Sequence, residues 1–118
     1  MARILAVDDS EPMRQLVSQT LKTGGHDVLL GFDGGSALEI FAAEKFQLVI
    51  TDINMPGMDG IELVRHIRAR DTEIPILALT TEGDESFRRR GEEAGVDGWI
   101  VKPFKPAQFI AIVKQILA

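Results

Sequence analysis

The chain has 118 residues, 45% of them hydrophobic and 26% charged, which is the balance of one ordinary water-soluble domain. Its 13 basic and 18 acidic residues leave a net charge of −5, which argues against a binder of nucleic-acid backbones. The absence of cysteine removes disulfides, thiolate metal sites and cysteine nucleophiles, and no apolar stretch approaches the roughly 20 residues a membrane span needs.

In chain order, the first apolar run is Ile4–Val7, followed by a helix with Met13, Leu16, Val17 and Leu21 on one face. Ser10 is its expected N-cap and Pro12 falls in its first turn. Val28–Leu30 is the second run, and Gly34-Gly35 reads as a turn, because the spacing of a phosphate-binding loop is absent. Leu38, Phe41 and Ala42 mark the second helix, and Leu48–Ile50 is the third run. Leu63, Val64 and Ile67 mark the third helix, with Asp59 and Glu62 placed for a capping box. After Ile76–Leu79, a weak helix over about Asp84 to Ala94 offers only Phe87, Gly91 and Ala94 to a core. Trp99–Val101 is the last run, and a helix entered through Pro106 carries the stripe Phe109, Ile112, Val113, Ile116 and Leu117.

None of the runs alternates polar with apolar, so each reads as a strand buried on both faces. The pattern is strand then helix, five times over. It predicts an α/β, doubly wound, five-stranded parallel sheet in a three-layer sandwich, a (βα)5 fold of flavodoxin-like type with ligands beyond the carboxyl ends of the strands. The chemistry-bearing residues follow those ends: Asp8 and Asp9 after the first run, Asp52 after the third, Thr80 after the fourth and Lys102 after the fifth. The second run supplies nothing comparable, which makes it the outer strand and gives the order 2-1-3-4-5.

Singly, each of these residues has an ordinary reading as a cap, a strand end or β-branched filler. Together they are a set. Carboxylates gathered at one spot repel and raise one another's pKa, and a hard divalent cation such as Mg²⁺ relieves that repulsion through oxygen ligands. A lysine and a hydroxyl beside a carboxylate make a place to hold a phosphoryl group, with the carboxylate as nucleophile.

These residues resemble the receiver domain of two-component response regulators over the whole chain. The marks are Asp8-Asp9 in Val-Asp-Asp-Ser, Asp52 in Thr-Asp-Ile-Asn-Met-Pro-Gly-Met-Asp-Gly, Thr80 closing Leu-Ala-Leu-Thr, and Lys102-Pro103-Phe104. The resemblance implies that Asp52 is the phosphoacceptor, and that Asp8, Asp9, Asp52 and the backbone carbonyl of Asn54 hold Mg²⁺. It implies that Thr80 and Lys102 bind phosphoryl oxygens and that the Lys102-Pro103 bond is cis. It makes Thr80 and Trp99 the switch pair, and Asn54 and Glu82 the positions that tune phosphoryl lifetime. Trp99 stands where a smaller aromatic is usual, so packing on the fourth or fifth helix is the competing role. Thr81 stands where a small residue often follows the switch hydroxyl, and its bulk narrows access to the phosphoryl site.

The Asn54 and Glu82 pairing, with the run Gly98 to Phe104, is similar to chemotaxis regulators. The implied partners are a histidine kinase as phosphodonor, a downstream protein such as a flagellar motor switch protein, and a phosphatase. The expectation is a cytoplasmic, monomeric single domain over residues 1–118, with no output domain, nucleic acid or membrane partner. It is a phosphoacceptor rather than an enzyme, and its output leaves through the face of the fourth helix, fifth strand and fifth helix. The alternatives are a phosphate sink or general single-domain regulator, and, in another class, a small phosphohydrolase with an aspartate nucleophile.

Overall fold

A computed structural model describes residues 2–81 and 85–118. Its elements are β1 (Arg3–Val7), α1 (Glu11–Thr23), β2 (Asp27–Gly31), α2 (Gly34–Ala43), β3 (Leu48–Asp52), α3 (Gly60–Arg68), β4 (Ile76–Thr81), α4 (Glu85–Ala94), β5 (Gly98–Lys102) and α5 (Pro106–Leu117). The strands form one parallel sheet in the order β2-β1-β3-β4-β5, as the strand-end pattern predicts.

Because side chains alternate along a strand, the sheet buries two separate apolar layers. Leu5, Val7, Val49, Ile76 and Ala78 face α2, α3 and α4, packing on Ala37, Leu63, Val64 and Ile67. Ile4, Ala6, Leu48, Ile50, Leu77, Leu79 and Ile100 face α1 and α5, packing on Val17, Leu21, Phe109 and Val113. The central strand β3 is buried along its whole length, so its last residue, Asp52, reaches the sheet edge with little solvent around it.

Ser10 caps α1 by accepting the Met13 N–H, and Pro12 sits in the first turn. The α1 stripe is narrower than its spacing suggests, since Leu16 is 39% exposed. Thr20 is buried in its place, its hydroxyl satisfied by donating to the Leu16 carbonyl at 2.7 Å. Gly34 and Gly35 are not a turn but the first residues of α2, which Asp33 and Ser36 start with a reciprocal capping box. That reciprocity was expected at Asp59 and Glu62; there the Asp59 carboxylate accepts the Glu62 N–H and so caps α3. Ala42 is exposed, because α2 turns Ala37, Leu38 and Phe41 inward instead.

Close approach accounts for the glycines at 60 and 91. A Cβ on Gly60 would stand 2.1 Å from the Asp52 carbonyl oxygen and 2.7 Å from the Ile53 Cα. These are backbone atoms that cannot yield, so glycine lets α3 start directly against the end of β3. A Cβ on Gly91 would stand 2.5 Å from Trp99 Cη2, so that glycine is the notch in α4 that receives the indole.

Gly60→Ala is expected to lower stability by more than about 2 kcal/mol in urea unfolding, since the clash is with backbone. Gly35→Ala, whose Cβ would meet nothing closer than 3.6 Å, is expected to be neutral or to stabilise by up to about 1 kcal/mol. Equal effects for the two would contradict the assignment.

Candidate functional site

The parallel arrangement puts the ends of β1, β3, β4 and β5 side by side, with Val7 beside Thr51, Asp52 beside Leu79, and Thr81 beside Lys102. The residues at those ends therefore meet. Asp8, Asp9 and Asp52 each present a carboxylate oxygen, and the three lie within 4.8 Å of one another. Asp8 is 2% exposed and Asp52 is 5% exposed, whereas Asp9 is exposed at the rim.

Lys102 bridges the two buried carboxylates, its Nζ 3.1 Å from Asp8 Oδ2 and 3.2 Å from Asp52 Oδ1. Its stem runs from the last residue of β5, and a cis peptide bond to Pro103 follows it. Asp8 is fixed further by the Ser10 N–H, which donates to Oδ1 at 3.0 Å, and by its own N–H, which donates to the Gly31 carbonyl. Beside Asp52 and Lys102 lies a cavity of about 130 Å³ lined also by Ile53, Asn54, Thr80 and Thr81. Thr80 is 8% exposed there, and its hydroxyl donates to the Thr81 carbonyl at 3.3 Å.

Burial, together with the neighbouring negative charge of Asp8, raises the Asp52 carboxyl to about 6. Lys102, through charge and a hydrogen bond, and the Asn54 N–H pull the other way without cancelling the rise. The site thus holds more negative charge than one ammonium offsets. A donor set of carboxylate oxygens with no cysteine or histidine suits a hard divalent cation, so these residues fit Mg²⁺.

Of the residues singled out in the sequence, Asp8, Asp9, Asp52, Asn54, Thr80 and Lys102 come together at this edge. Trp99 does not join them. It is partly buried against the α4 side of the sheet, over Gly91, with the Arg88 guanidinium 5.5 Å from its ring centroid. Glu82 lies outside the described residues. Sequence reasoning missed Arg14, whose Nη1 donates to the Asp8 carbonyl at 2.7 Å. One arginine among the polar residues of an amphipathic helix carries no signal that separates it from a solvated charge.

The chain matches the family model described as the response regulator receiver domain over residues 4–114. It is similar in structure to the chemotaxis protein CheY4 of Vibrio cholerae, with a TM-score of 0.94 and 40% identity over 98% of each chain. It is also similar to the receiver domain of NtrX from Brucella abortus, with a TM-score of 0.91 and 31% identity over 97% of each chain. Among curated proteins, 115 residues are 38% identical to the alkaline phosphatase synthesis transcriptional regulatory protein PhoP of Bacillus subtilis (strain 168), covering 98% of this chain and 48% of that protein. The response regulator MprA of Mycobacterium leprae (strain TN) is 36% identical over 98% of this chain and 50% of its own length. The chain spans about half the length of the curated relatives it matches.

Because Asp52 ionises at a higher pH in the folded protein than in the unfolded chain, its charge opposes folding, and stability falls as pH rises from about 4 through 6. Asp52→Asn removes that penalty. In chelator, the variant is expected to match wild type near pH 4 and to exceed it above pH 6.5 by up to about 3 kcal/mol, a rise of roughly two pKa units at 1.36 kcal/mol each. Thermal unfolding across this range measures the gap, and a gap that is constant with pH would contradict the assignment.

Proposed function

Since the chain belongs to the response regulator receiver domain family of two-component signalling, we propose that it is a phosphorylation-dependent switch whose phosphoacceptor is Asp52. The observation that carries this reading is the position of the Asp52 carboxylate, 3.2 Å from the Lys102 ammonium and lining the same small cavity as the Thr80 hydroxyl. At neutral pH, above its value of about 6, the carboxylate is ionised and nucleophilic. One Asp52 oxygen attacks phosphorus, and the bond from phosphorus to the donor breaks. The donor's electron pair leaves on the imidazole nitrogen of a histidine kinase or on the carboxylate of a small acyl phosphate.

Lys102 already lies against the acceptor and gains a phosphoryl oxygen as a partner. Thr80 donates to the Thr81 carbonyl in this structure, and must turn its hydroxyl to donate to the phosphoryl group instead. Mg²⁺, held by Asp8, Asp9, Asp52 and the Asn54 carbonyl, supplies positive charge that offsets the charge of the phosphoryl oxygens when it is bound. In this reading the protein is a phosphoacceptor that assists its own phosphorylation and dephosphorylation, not an enzyme acting on an external substrate.

Loss of the Thr80 contact with the Thr81 carbonyl at the end of β4 biases the packing of α4 against β5, where the Trp99 indole sits in the Gly91 notch. The α4-β5-α5 face then changes its affinity for a partner, and a coupling of about 1–3 kcal/mol suffices for a useful signal. A chemotaxis role is the finer proposal. Its support is the similarity to CheY4 over 98% of both chains, together with the Asn54 and Glu82 pair. A motor switch protein is the partner that role implies, and a phosphate sink is the alternative.

Incubation with acetyl phosphate and Mg²⁺ is expected to give one base-labile phosphoryl adduct by mass, absent in Asp52→Asn, with a change in Trp99 emission. An equal adduct in the variant would overturn the acceptor assignment. A decay lasting seconds to minutes supports the chemotaxis proposal, and one lasting hours contradicts it.

A further inference from the structure

Three of the four groups on Asp8 that can hydrogen-bond are held by elements of the sheet edge or the adjoining cap. Its N–H donates to the Gly31 carbonyl, its Oδ1 accepts the Ser10 N–H, and its Oδ2 accepts from Lys102. The fourth, the main-chain carbonyl, accepts from Arg14 Nη1 at 2.7 Å. That carbonyl belongs to the peptide joining Asp8 to Asp9. A peptide is planar, so fixing its oxygen fixes the plane and with it the direction in which the Asp9 Cα leaves. Asp9 is exposed and its side chain has no hydrogen bond or ion pair of its own among the described residues. Its carboxylate nonetheless lies with those of Asp8 and Asp52 inside a 4.8 Å group.

Arg14 is placed for this contact by its own helix. Its N–H donates to the Ser10 carbonyl at 2.9 Å in the first turn of α1, and its part-buried side chain reaches back over that turn. A guanidinium so near an acidic cluster would ordinarily pair with a carboxylate. Among the described residues Arg14 makes no ion pair, and gives Nη1 to the carbonyl instead. The carboxylate oxygens that face a cation are thus left unpaired by Arg14, while the backbone between them is locked by a charge-assisted hydrogen bond.

We propose that Arg14 is a positioning residue for divalent-cation capture, acting through the Asp8-Asp9 peptide to hold the Asp9 carboxylate in the ligand group. The proposal rests on the reading of Asp8, Asp9 and Asp52 as a Mg²⁺ site, and it assigns a determinant of affinity outside the ligand set.

Electrostatics and positioning predict opposite signs. As a mere positive charge near three carboxylates, Arg14 opposes Mg²⁺, and its removal would tighten binding. As a positioning residue, its removal loosens binding by about 10–100-fold, the range typical of groups that orient metal ligands. Calorimetric titration of Mg²⁺ into the full chain separates these. R14Q, too short to keep the bond, is expected to bind more weakly by that factor. R14K, with the charge and a donor on a shorter stem, falls between R14Q and wild type. In the D9N background, R14Q is expected to change affinity by less than about 2-fold, because its effect runs through Asp9.

Unchanged or tighter binding by R14Q, or a full effect of R14Q persisting in D9N, would overturn the proposal. If R14Q does not fold, R14K decides through the shift of its thermal midpoint with Mg²⁺, where a wild-type shift refutes the assignment and a smaller one supports it. Failure of wild type to bind Mg²⁺, or wild-type affinity in D9N, refutes the carboxylate site itself and is thereby distinguishable from failure of the Arg14 assignment alone.

Discussion

The structure is organised around an excess of buried negative charge. Asp8 and Asp52 are almost wholly enclosed, Asp9 stands at their rim, and the Lys102 ammonium lies between the buried pair. Two charges of one sign at short range in a medium less polarisable than water cost folding free energy unless something opposes them. Burial penalises the Asp52 charge most, Asp8 adds to that penalty, and Lys102 opposes both only in part, which is why Asp52 remains raised to about 6. The remaining imbalance favours whatever brings further positive charge, a divalent cation first. In the proposed function the buried Asp52 carboxylate, ionised at neutral pH yet poorly solvated, suits a nucleophile.

Everything that creates this edge is local and ordinary. Five parallel strands end on one side, so residues at or just beyond the ends of β1, β3, β4 and β5 are aimed at the same region. The backbone of Asp52 is held from below by α3, whose start at Gly60 leaves no room for a side chain. Asp8 is held by the cap of α1 and by the outer strand β2. At the far side, the α4 helix bears few apolar residues and meets β5 through a glycine notch filled by Trp99. Well-packed elements hold the charged residues, and in the proposed function the hydroxyl that moves, that of Thr80, lies on the strand that precedes the sparsely apolar α4.

Most of this was legible in the sequence because it follows from short-range patterns. Unbroken apolar runs gave the parallel sheet, and the polar residues that follow them gave the site, including the strand order. What escaped depends on hydrogen bonds between side chains and backbone and on packing between elements. Leu16 satisfies the helical period but faces solvent, because a hydroxyl bonded to its own helix lets Thr20 take the inner position. Gly34-Gly35 looks like a turn until Asp33 and Ser36 cap each other across it. Trp99 kept two readings open, and only the three-dimensional neighbour Gly91 places its ring. Arg14 was invisible because its partner is a carbonyl, and a carbonyl has no identity in a sequence.

The account turns on the ionisation of one carboxyl. Carbon-13 resonance of the Asp52 carboxyl, followed from pH 3 to 9 with and without Mg²⁺, reads it directly, with Asp52→Asn identifying the signal. The account predicts a midpoint near 6 in chelator and a clear fall toward the ordinary carboxylate range when Mg²⁺ is added. A midpoint near 4 in chelator, or one that Mg²⁺ does not move, would contradict it.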